Sequence, residues 1–420
     1  MSMALPKHFD MSNTNISDID PYGLVTPEIF ISPHPIYHML RYAEPVHWSE
    51  VLNAWVLTKY DDVMASLRDP RLSNAMRRAV GTAQLSPQLR LKMAPIDRFL
   101  QLWVLNLDEP EHQRLRVLLN KAFTPSAMEK MTPRIKQISE ELLDAVEADG
   151  KMDFIAQYAY PLPVRVIGEL FGVPEEGRPL LSKWSKHIST FFEVGPAKVE
   201  ALENMTSSVQ EMTDYLREVV EKNRQDPQDN ILGNLIRAEE EGAVLSEDQL
   251  LATCVMVLFA GHDSTVNLIG TGMLSLLRYP DQLARLKQDP SLIRTAVDEF
   301  LRFESPVMRH DRVAREDFEL HGFKIKRGQR VILGLGAANR DPAHFVNPDV
   351  FDIARQNTSR HTTFGYGAHS CLGGSLACKQ AEVAINLVLK RFPNIHFGAT
   401  PPVWREHFNF RGLRTFPVEF

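Results

Sequence analysis

The chain lacks several features that mark secreted or membrane proteins. It has only three cysteines among 420 residues, Cys254, Cys371 and Cys378, and an odd number of thiols at these spacings does not suggest a disulfide framework. No apolar segment follows the first residues, MSMALPKHFDMSNTN, so no signal peptide is predicted. The most apolar run, Leu250–Gly261, is too short to cross a hydrocarbon layer of about 30 Å. A cytoplasmic protein without membrane association is expected.

The chain also lacks an excess of basic charge and any recognisable linker. Lys and Arg number 47 against 53 Asp and Glu, so the formal net charge is −6. Nucleic-acid binding depends on a basic surface, and this balance argues against it. No Gly/Ser tract, low-complexity segment or internal repeat divides the sequence, in which 44% of residues are hydrophobic. One large unit and two or three smaller ones are both compatible with this length.

Helical periodicity dominates the chain from about residue 127. The segment 128–150 has apolar residues at steps of three and four and ends at Gly150, which predicts an amphipathic helix. Ser246 and Gln249 form a capping-box pattern, and no proline follows until Pro280, so we expect a helix about 45–50 Å long. Such a long apolar helix is expected to run through the middle of the protein.

Strand patterns are short and few. The run 54–60, AWVLTKY, is strand-like, and residues 323–336 predict a hairpin that turns at Lys326-Arg327-Gly328. Another apolar helix is predicted directly after Gly374. The fold class expected is mainly α with small β-sheets.

Cys371 lies in an unusual setting, the stretch FGYGAHSCLGG from Phe364 to Gly374. Four glycines remove side chains around this cysteine, which allows a positive φ or the close approach of a large ligand. A small buried hydrophobe in a helix-capping loop and a thiolate presented to a flat, metal-bearing ligand are both possible readings. Cys378 and Cys254 lack the glycine frame and fall in predicted helices, which favours core packing for both.

The long central helix carries a polar cluster, AGHDST, from Ala260 to Thr265. Polar groups in an apolar helix are costly unless they form hydrogen bonds or serve chemistry. Serine and threonine hydroxyls can bond to the carbonyl one turn earlier and bend the helix, and Gly261 leaves room for a flat ligand near the backbone. An ordinary helix kink with a solvated Asp263 is the alternative.

Several charged or donor side chains occur at spacings that place them together. Glu299 and Arg302 are three residues apart, and His112 and Arg116 are four apart, so each pair shares a helix face. Arg312 and His369 add further cationic or donor groups, and together such groups can clamp an anionic ligand such as a carboxylate. Each of them alone is typical of a surface residue.

These features together resemble the cytochrome P450 superfamily over nearly the whole chain. FGYGAHSCLG matches the haem-binding loop F-x-x-G-x-H/R-x-C-x-G at every specified position. AGHDST resembles the oxygen-binding stretch A-G-x-D/E-T-T, with Ser264 where threonine is usual. Further matches are the E-x-x-R pair, EPEHQRLR with AFTP, the meander at 338–355, and FRGLRTFPV near the C-terminus, similar to the final hairpin of bacterial members.

The resemblance implies a single P450 domain, residues 1–420, that binds haem b with the long helix crossing over it. Cys371 would be the axial thiolate ligand of the iron, beside residues that shape the loop: Phe364, Gly365 and Gly373. Four residues would hold the haem propionates: His112, Arg116, Arg312 and His369. Ala260 and Gly261 would lie over the haem, and three residues would supply protons for O–O bond cleavage: Asp263, Ser264 and Thr265.

The activity implied is monooxygenation, with one atom of O2 inserted into an organic substrate. Electrons are expected from a separate ferredoxin fed by an NAD(P)H-dependent reductase, and a monomer is expected. The residues predicted to line the substrate site are largely apolar, which favours a terpenoid, steroid, polyketide or fatty-acid type of substrate; they are Leu258, Phe259, residues 306–308 and 408–410. The resemblance implies a roof formed by the loop before His112 and the segment 182–195.

Three alternatives belong to other classes. A zinc module using His369 and Cys371 would need further His or Cys ligands at short spacing, and the sequence offers none nearby. A haem protein that only senses gas or carries electrons would not need the acid–alcohol pair of AGHDST. A peroxide-driven P450 shares the fold but usually lacks that pair.

Overall fold

The computed structural model describes residues 20–83, 86–191, 199–228, 230–240 and 245–420, and most of these residues lie in helices. The helices follow the apolar periodicity of the sequence, and their bounds are α1 Glu28–Ile31, α2 Pro33–Ala43, α3 Tyr60–Ser66, α4 Met76–Ala83, α5 Pro87–Gln101, α6 Glu111–Ala122, α7 Pro125–Lys130, α8 Thr132–Glu147, α9 Pro161–Leu170, α10 Arg178–Phe191, α11 Val199–Gln225, α12 Ile231–Glu240, α13 Glu247–Arg278, α14 Pro280–Gln288, α15 Ile293–Phe303, α16 Leu335–Ala338 and α17 Gly374–Arg391. The mainly helical fold class is confirmed.

The strands are short and form small sheets. Their bounds are β1 Val46–Ser49, β2 Ala54–Leu57, β3 Leu72–Ser73, β4 Lys151–Asp153, β5 His310–Ala314, β6 Phe318–Leu320, β7 Phe323–Ile325, β8 Arg330–Leu333, β9 His396–Phe397, β10 Val403–Trp404, β11 Leu413–Thr415 and β12 Pro417–Glu419. A five-stranded sheet has the order β1-β2-β8-β5-β3, in which only the β2–β8 pair is parallel. β12 lies between β4 and β9, and β10 pairs with β11.

The predicted hairpin at 323–336 is wrong in its strand partners. The turn forms where expected, with Gly328 at a φ of +86° and Gln329 N–H donating to the Lys326 carbonyl at 3.0 Å. However, β7 pairs with β6, and β8 pairs with β2 and β5. β8 is buried over most of its length whereas β7 is mostly exposed, so β8 is stabilised in the middle of the larger sheet.

The central helix α13 is the longest helix of the described residues. Gln249 N–H donates to Ser246 Oγ at 3.2 Å and Ser246 N–H donates to Gln249 Oε1 at 3.3 Å, so the predicted capping box is present. Its 32 residues correspond to about 48 Å. In its most apolar stretch, which is long and apolar enough for a membrane span, 83% of the residues are buried inside the protein. Its apolar surface is therefore covered by other helices.

The segment 128–150 forms two helices instead of one. α7 ends at Lys130 and α8 begins at Thr132, with Pro133 in its first turn. Proline has no N–H to continue the hydrogen-bond ladder of a preceding helix, which explains the break. Downstream, Gly150 adopts a φ of +63° after the end of α8.

The Glu299–Arg302 pair holds the segment that leads to the cysteine loop. Both side chains are fully buried, with Arg302 Nε 2.7 Å from Glu299 Oε2. Arg302 Nη1 also donates to the carbonyls of Asn339 and Pro348, and Glu299 Oε1 accepts from the N–H of Asp352. The pair thus joins α15 to the long loop at 339–352, and it is not a surface pair.

Candidate active site

A large cavity lies between α13 and the loop at 364–373. Its volume is about 330 Å³. Cys371 and Gly373 contribute to one wall, and Ala260 and Gly261 contribute to the wall formed by α13. Apolar side chains form much of the rest, among them Val104, Phe123, Ile167, Met256, Val257, Phe259, Leu268, Leu301, Val307 and Phe410.

The cysteine loop is closed by its own backbone. Cys371 N–H donates to the Phe364 carbonyl at 2.8 Å, and Gly365 and Gly367 adopt positive φ angles of +65° and +75°. Burial raises the pKa of the Cys371 thiol, while the N–H of Gly373 and the nearby Arg116 act to lower it. A Cβ atom on Gly373 would meet no atom within 4 Å, so the backbone faces open space there.

The other two cysteines do not face the cavity. Cys254 is buried in α13, and burial raises its pKa to about 12. Cys378 lies in α17, and burial together with nearby carboxylates raises its pKa to about 12. Of the three thiols, only that of Cys371 belongs to a residue lining the cavity.

One edge of the cavity carries a group of cationic and imidazole side chains. His112 and Arg116 come from α6, and Arg312 comes from β5. The ring of His369 lies 3.9 Å from that of His112, measured between centroids. Burial, His112 and Arg312 lower the pKa of His369 to about 3, so this imidazole is neutral at pH 7 and has an N–H to donate.

Arg312 is nearly fully buried, and only part of its guanidinium is hydrogen-bonded. Nη1 donates to the Asp311 carbonyl at 2.9 Å, whereas Nη2 is buried without a hydrogen-bond partner among the described residues. Burial, and next the charge of Arg77, lower its pKa to about 9. Leaving a buried guanidinium N–H unpaired is costly. An anion at this edge of the cavity would satisfy it.

The two neighbouring arginines are placed differently. Arg315 forms an ion pair with Asp108 at 2.6 Å. Arg309 Nε donates to Asn409 Oδ1 at 3.1 Å, and its guanidinium lies over the ring of Phe408. Arg312 is therefore the one of these three that neighbours His369.

Asp263 is held by Arg405, which no sequence motif indicated, and by Ser189 of the predicted roof segment. Its Oδ1 accepts from Arg405 Nη1 at 2.7 Å, and its Oδ2 accepts from Ser189 Oγ at 2.9 Å. Arg405 Nη2 also donates to Ser189 Oγ at 2.9 Å. Burial would raise the pKa of Asp263, but Arg405, His262 and these hydrogen bonds outweigh it and lower the pKa. Asp263 is ionised and is not a solvated side chain.

The two hydroxyls of AGHDST differ in how firmly they are held. Thr265 Oγ1 donates to the Gly261 carbonyl at 3.2 Å and its side chain is buried. Ser264 Oγ lies 3.5 Å from the Ala260 carbonyl, at the limit of a hydrogen bond, and Ser264 is only partly buried. A Cβ on Gly261 would lie 3.2 Å from Ile167 Cδ1, so this glycine also allows α9 to pack against α13.

The structure thus brings nearly all of the predicted site residues to one cavity. All of them line it except Gly365, which makes the turn behind it. The predicted substrate residues Leu258, Met308 and Phe408 do not line this cavity, and positions 192–195 of the predicted roof lie outside the described residues. Sequence reasoning missed Arg77 and Arg405, which carry no motif and reach the site from distant elements. It placed Ser189 only within the predicted roof segment 182–195.

Comparisons with known proteins identify the family of this chain. The family model described as Cytochrome P450 matches residues 72–402. The polyketide biosynthesis cytochrome P450 PksS of Bacillus subtilis (strain 168) is 37% identical over 95% of this chain and 97% of its own. The vitamin D(3) 25-hydroxylase of Pseudonocardia autotrophica is 37% identical over 95% of this chain and 96% of its own.

A solved structure of P450BioI in complex with an acyl carrier protein ligated to hexadec-9Z-enoic acid superposes with a TM-score of 0.86. It is 36% identical and covers 94% of this chain and 100% of its own. The chain therefore belongs to the cytochrome P450 family and is a monooxygenase with haem as its cofactor.

The residues that line the cavity fit a haem. A thiol faces it from a loop whose glycine backbone leaves open space, and the opposite wall is largely apolar. The buried Nη2 of Arg312 and the N–H groups of two imidazoles at one edge match the two carboxylates that a haem carries. Among the described residues no group of three or more His, Cys, Asp or Glu side chains could hold a metal ion, so a zinc module finds no ligand set there.

Proposed function

We propose that this P450 oxidises a hydrophobic small molecule of polyketide, steroid, terpenoid or fatty-acid type in the cavity above Cys371. The observation that carries the proposal is the composition of that cavity. Its walls are largely apolar, and they place the Cys371 loop opposite Asp263 and Ser264 on α13. The names of the relatives point the same way, since they include a polyketide P450 and a vitamin D hydroxylase.

The haem, when bound, supplies the site at which dioxygen is activated. In our proposal Cys371 holds the iron, with the N–H of Gly373 directed at its sulfur. Four residues hold the propionates: His112, Arg116, Arg312 and His369. Phe364 shields the sulfur from water, and Ala260, Gly261, Gly365 and Gly373 allow the backbone to approach the ring.

Proton delivery is assigned to α13. Among the described residues Ser264 Oγ makes one long hydrogen bond, which leaves it able to hold a water in the cavity. Asp263 is ionised and buried behind it, and a small rotation away from Arg405 would allow it to pass protons from solvent. Positioned acid–base groups contribute roughly 10²–10⁴-fold to a rate. Thr265 Oγ1 donates to the Gly261 carbonyl, and in our proposal it shares the proton transfer when its hydroxyl leaves that bond.

Electrons are proposed to come from a ferredoxin and its NAD(P)H-dependent reductase, with the protein acting as a cytoplasmic monomer. The test compares turnover driven by ferredoxin and reductase with turnover driven by peroxide alone, on substrates found by a spin-shift screen of hydrophobic compounds. Turnover that requires the ferredoxin system supports the proposal. Efficient turnover with peroxide alone would favour the peroxide-driven class, and binding without any turnover would favour a non-catalytic haem protein.

A further inference from the structure

Arg309 lies at the border of the substrate cavity and has no carboxylate partner among the residues that the structure describes. It lines the large cavity and also a small side cavity of about 20 Å³ that adjoins it. Its Nε donates to Asn409 Oδ1 at 3.1 Å, and its Cζ lies 4.5 Å from the ring centre of Phe408. In the described part of the chain no carboxylate lies within ion-pair distance of its guanidinium. Nη1 and Nη2 also have no hydrogen-bond partner there.

Three other arginines nearby have a carboxylate partner. Arg405 binds Asp263 at 2.7 Å, Arg411 binds Glu304 at 2.6 Å, and Arg330 binds Asp311 at 2.9 Å. Asp311 lies close enough to raise the pKa of Arg309, but its carboxylate is bonded to Arg330. Burial lowers the pKa of Arg309, and Tyr37 acts with Asp311 to raise it. A guanidinium in such surroundings is stabilised by an anion that arrives with the substrate.

Tyr37 provides a second donor in the same small cavity. Its side chain is buried, and in the described residues its hydroxyl makes no hydrogen bond. Burial raises the pKa of this phenol, so it remains protonated and able to donate. Arg405, His407 and Arg411 also line the side cavity, and its other walls are apolar: Ile29, Phe30, Pro33, Met308, Phe408 and Phe410.

The size of the side cavity limits what can enter it. A cavity needs a volume of roughly 10–15 Å³ to hold one water, so the side cavity of about 20 Å³ holds one or two waters. That is room for a carboxylate but not for a ring system. The large apolar cavity next to it, which contains Cys371, is the place for a hydrocarbon chain.

We propose that the substrate is an amphiphilic carboxylic acid whose carboxylate binds Arg309 and Tyr37 while its apolar chain extends toward Cys371. This inference rests on the proposed function and specifies its substrate class. Guanidinium and phenol donors to a carboxylate give charge-assisted hydrogen bonds, which are stronger than those to a neutral oxygen. An ester or thioester of the same acid keeps the chain but loses the charge.

The test measures dissociation constants of the haem-loaded protein from the shift of its Soret band. The probes are tetradecanoic and hexadecanoic acids, their methyl esters and their N-acetylcysteamine thioesters. We expect the acids to bind at least about tenfold more tightly than both neutral forms. In Arg309→Gln the acids should bind roughly 10–100-fold more weakly, with the esters changed by less than about threefold.

Two further variants separate charge from packing. Arg309→Lys keeps the charge and should recover part of the affinity for the acids. Tyr37→Phe removes one neutral donor and should weaken acid binding by roughly two- to tenfold. Arg285→Gln, which removes a surface arginine paired with Asp352, is the matched control and should leave every dissociation constant unchanged.

Three results would overturn the inference. They are equal binding of acids and esters by the unmodified protein, a loss of ester affinity in Arg309→Gln as large as the loss for the acids, or no response to either acid. In each case a ferrous–CO spectrum typical of thiolate ligation, with oxidation of a neutral substrate, would leave the proposed monooxygenase function standing. Absence of turnover with every probe would count against that function instead.

Discussion

Cys371 differs from the other two cysteines in what its side chain faces. It lines the cavity, whereas Cys254 is buried in α13 and Cys378 lies in α17 away from the cavity. Cys371→Ser should abolish the strongly red-shifted Soret band of the ferrous–CO complex, because a hydroxyl is not a thiolate ligand. Cys378→Ser should keep the band, and the opposite pair of spectra would move the assignment to Cys378.

Arg312 offers a buried N–H to the propionate edge, and its loss should weaken haem binding. Arg312→Ala removes at most two charge-assisted hydrogen bonds to a propionate, and the affinity for haem should fall by roughly 10–100-fold. Haem retention is measured by transfer of the cofactor to apomyoglobin. Arg315→Ala is the control, since Arg315 pairs with Asp108. If Arg312→Ala retained haem as the unmodified protein does, its assigned role would be withdrawn.

The hydroxyl of Ser264 is expected to control what share of the electrons goes into substrate oxidation and what share is lost as peroxide. Ser264→Ala should release more peroxide per electron, because the water held by the hydroxyl is lost. Asp263→Asn should slow substrate oxidation by roughly 10²-fold or more. Substrate oxidation and peroxide release are measured together. Thr265→Ala should have the smaller effect on peroxide release, since its hydroxyl bonds to the Gly261 carbonyl. A larger effect of Thr265→Ala would transfer the role to that residue.

Arg405 connects three elements that are distant in sequence. It lies just after β10 and binds Asp263 of α13 and Ser189 of α10. Arg405 thereby joins the end of β10 to α10 and α13 at Asp263, the residue that we assign to proton delivery. The state of Asp263 therefore depends on the position of the C-terminal strands.

Removing Arg405 should make stability depend on pH in a defined direction. The folded pKa of Asp263 is lowered, so its ion pair contributes stability above the unfolded pKa of about 3.9 and loses it as pH falls through the lower folded value. In Arg405→Gln burial dominates and the pKa rises, which leaves a buried charge at pH 7 that costs about 3–5 kcal/mol. Thermal unfolding should show a large deficit at pH 7 and a smaller one at pH 5. A deficit independent of pH would contradict this account.

The molecule is held together around the cavity by its long-range contacts. A large apolar cluster fills the helical part, and smaller clusters pack around the five-stranded sheet. The loop at 339–352 lies between them and leads to Cys371, and it is fixed by the buried Glu299–Arg302 pair. Haem binding and folding are expected to be linked through this segment.

Arg302→Met should disrupt folding and haem loading together. The substitution leaves Glu299 as a buried charge that has lost its main partner, at a cost of about 3–5 kcal/mol. Arg285→Met is the matched control, because Arg285 forms an exposed pair with Asp352 worth at most about 1 kcal/mol. Denaturant unfolding and the haem-to-protein absorbance ratio are measured for both. Equal stability of the two variants would show that the pair is not needed for the fold.

Features carried by neighbouring residues were predictable from the sequence. The capping box of α13, its length, the glycine turns of the cysteine loop and the shared face of His112 and Arg116 follow from local backbone geometry, which depends on residues a few positions apart. The family resemblance depends on the same short motifs. The haem-binding loop and the mainly helical class were therefore recognisable before any coordinates.

Features that join distant residues required the folded structure. Packing in the sheet separated β8 from β7, and the partners of each side chain distinguished Arg312 from Arg309 and Arg315, which look alike in sequence. The bond between Arg405 and Asp263 spans 142 positions and leaves no local pattern. Such contacts depend on which apolar faces pack together, because packing alone decides which side chains share a buried space.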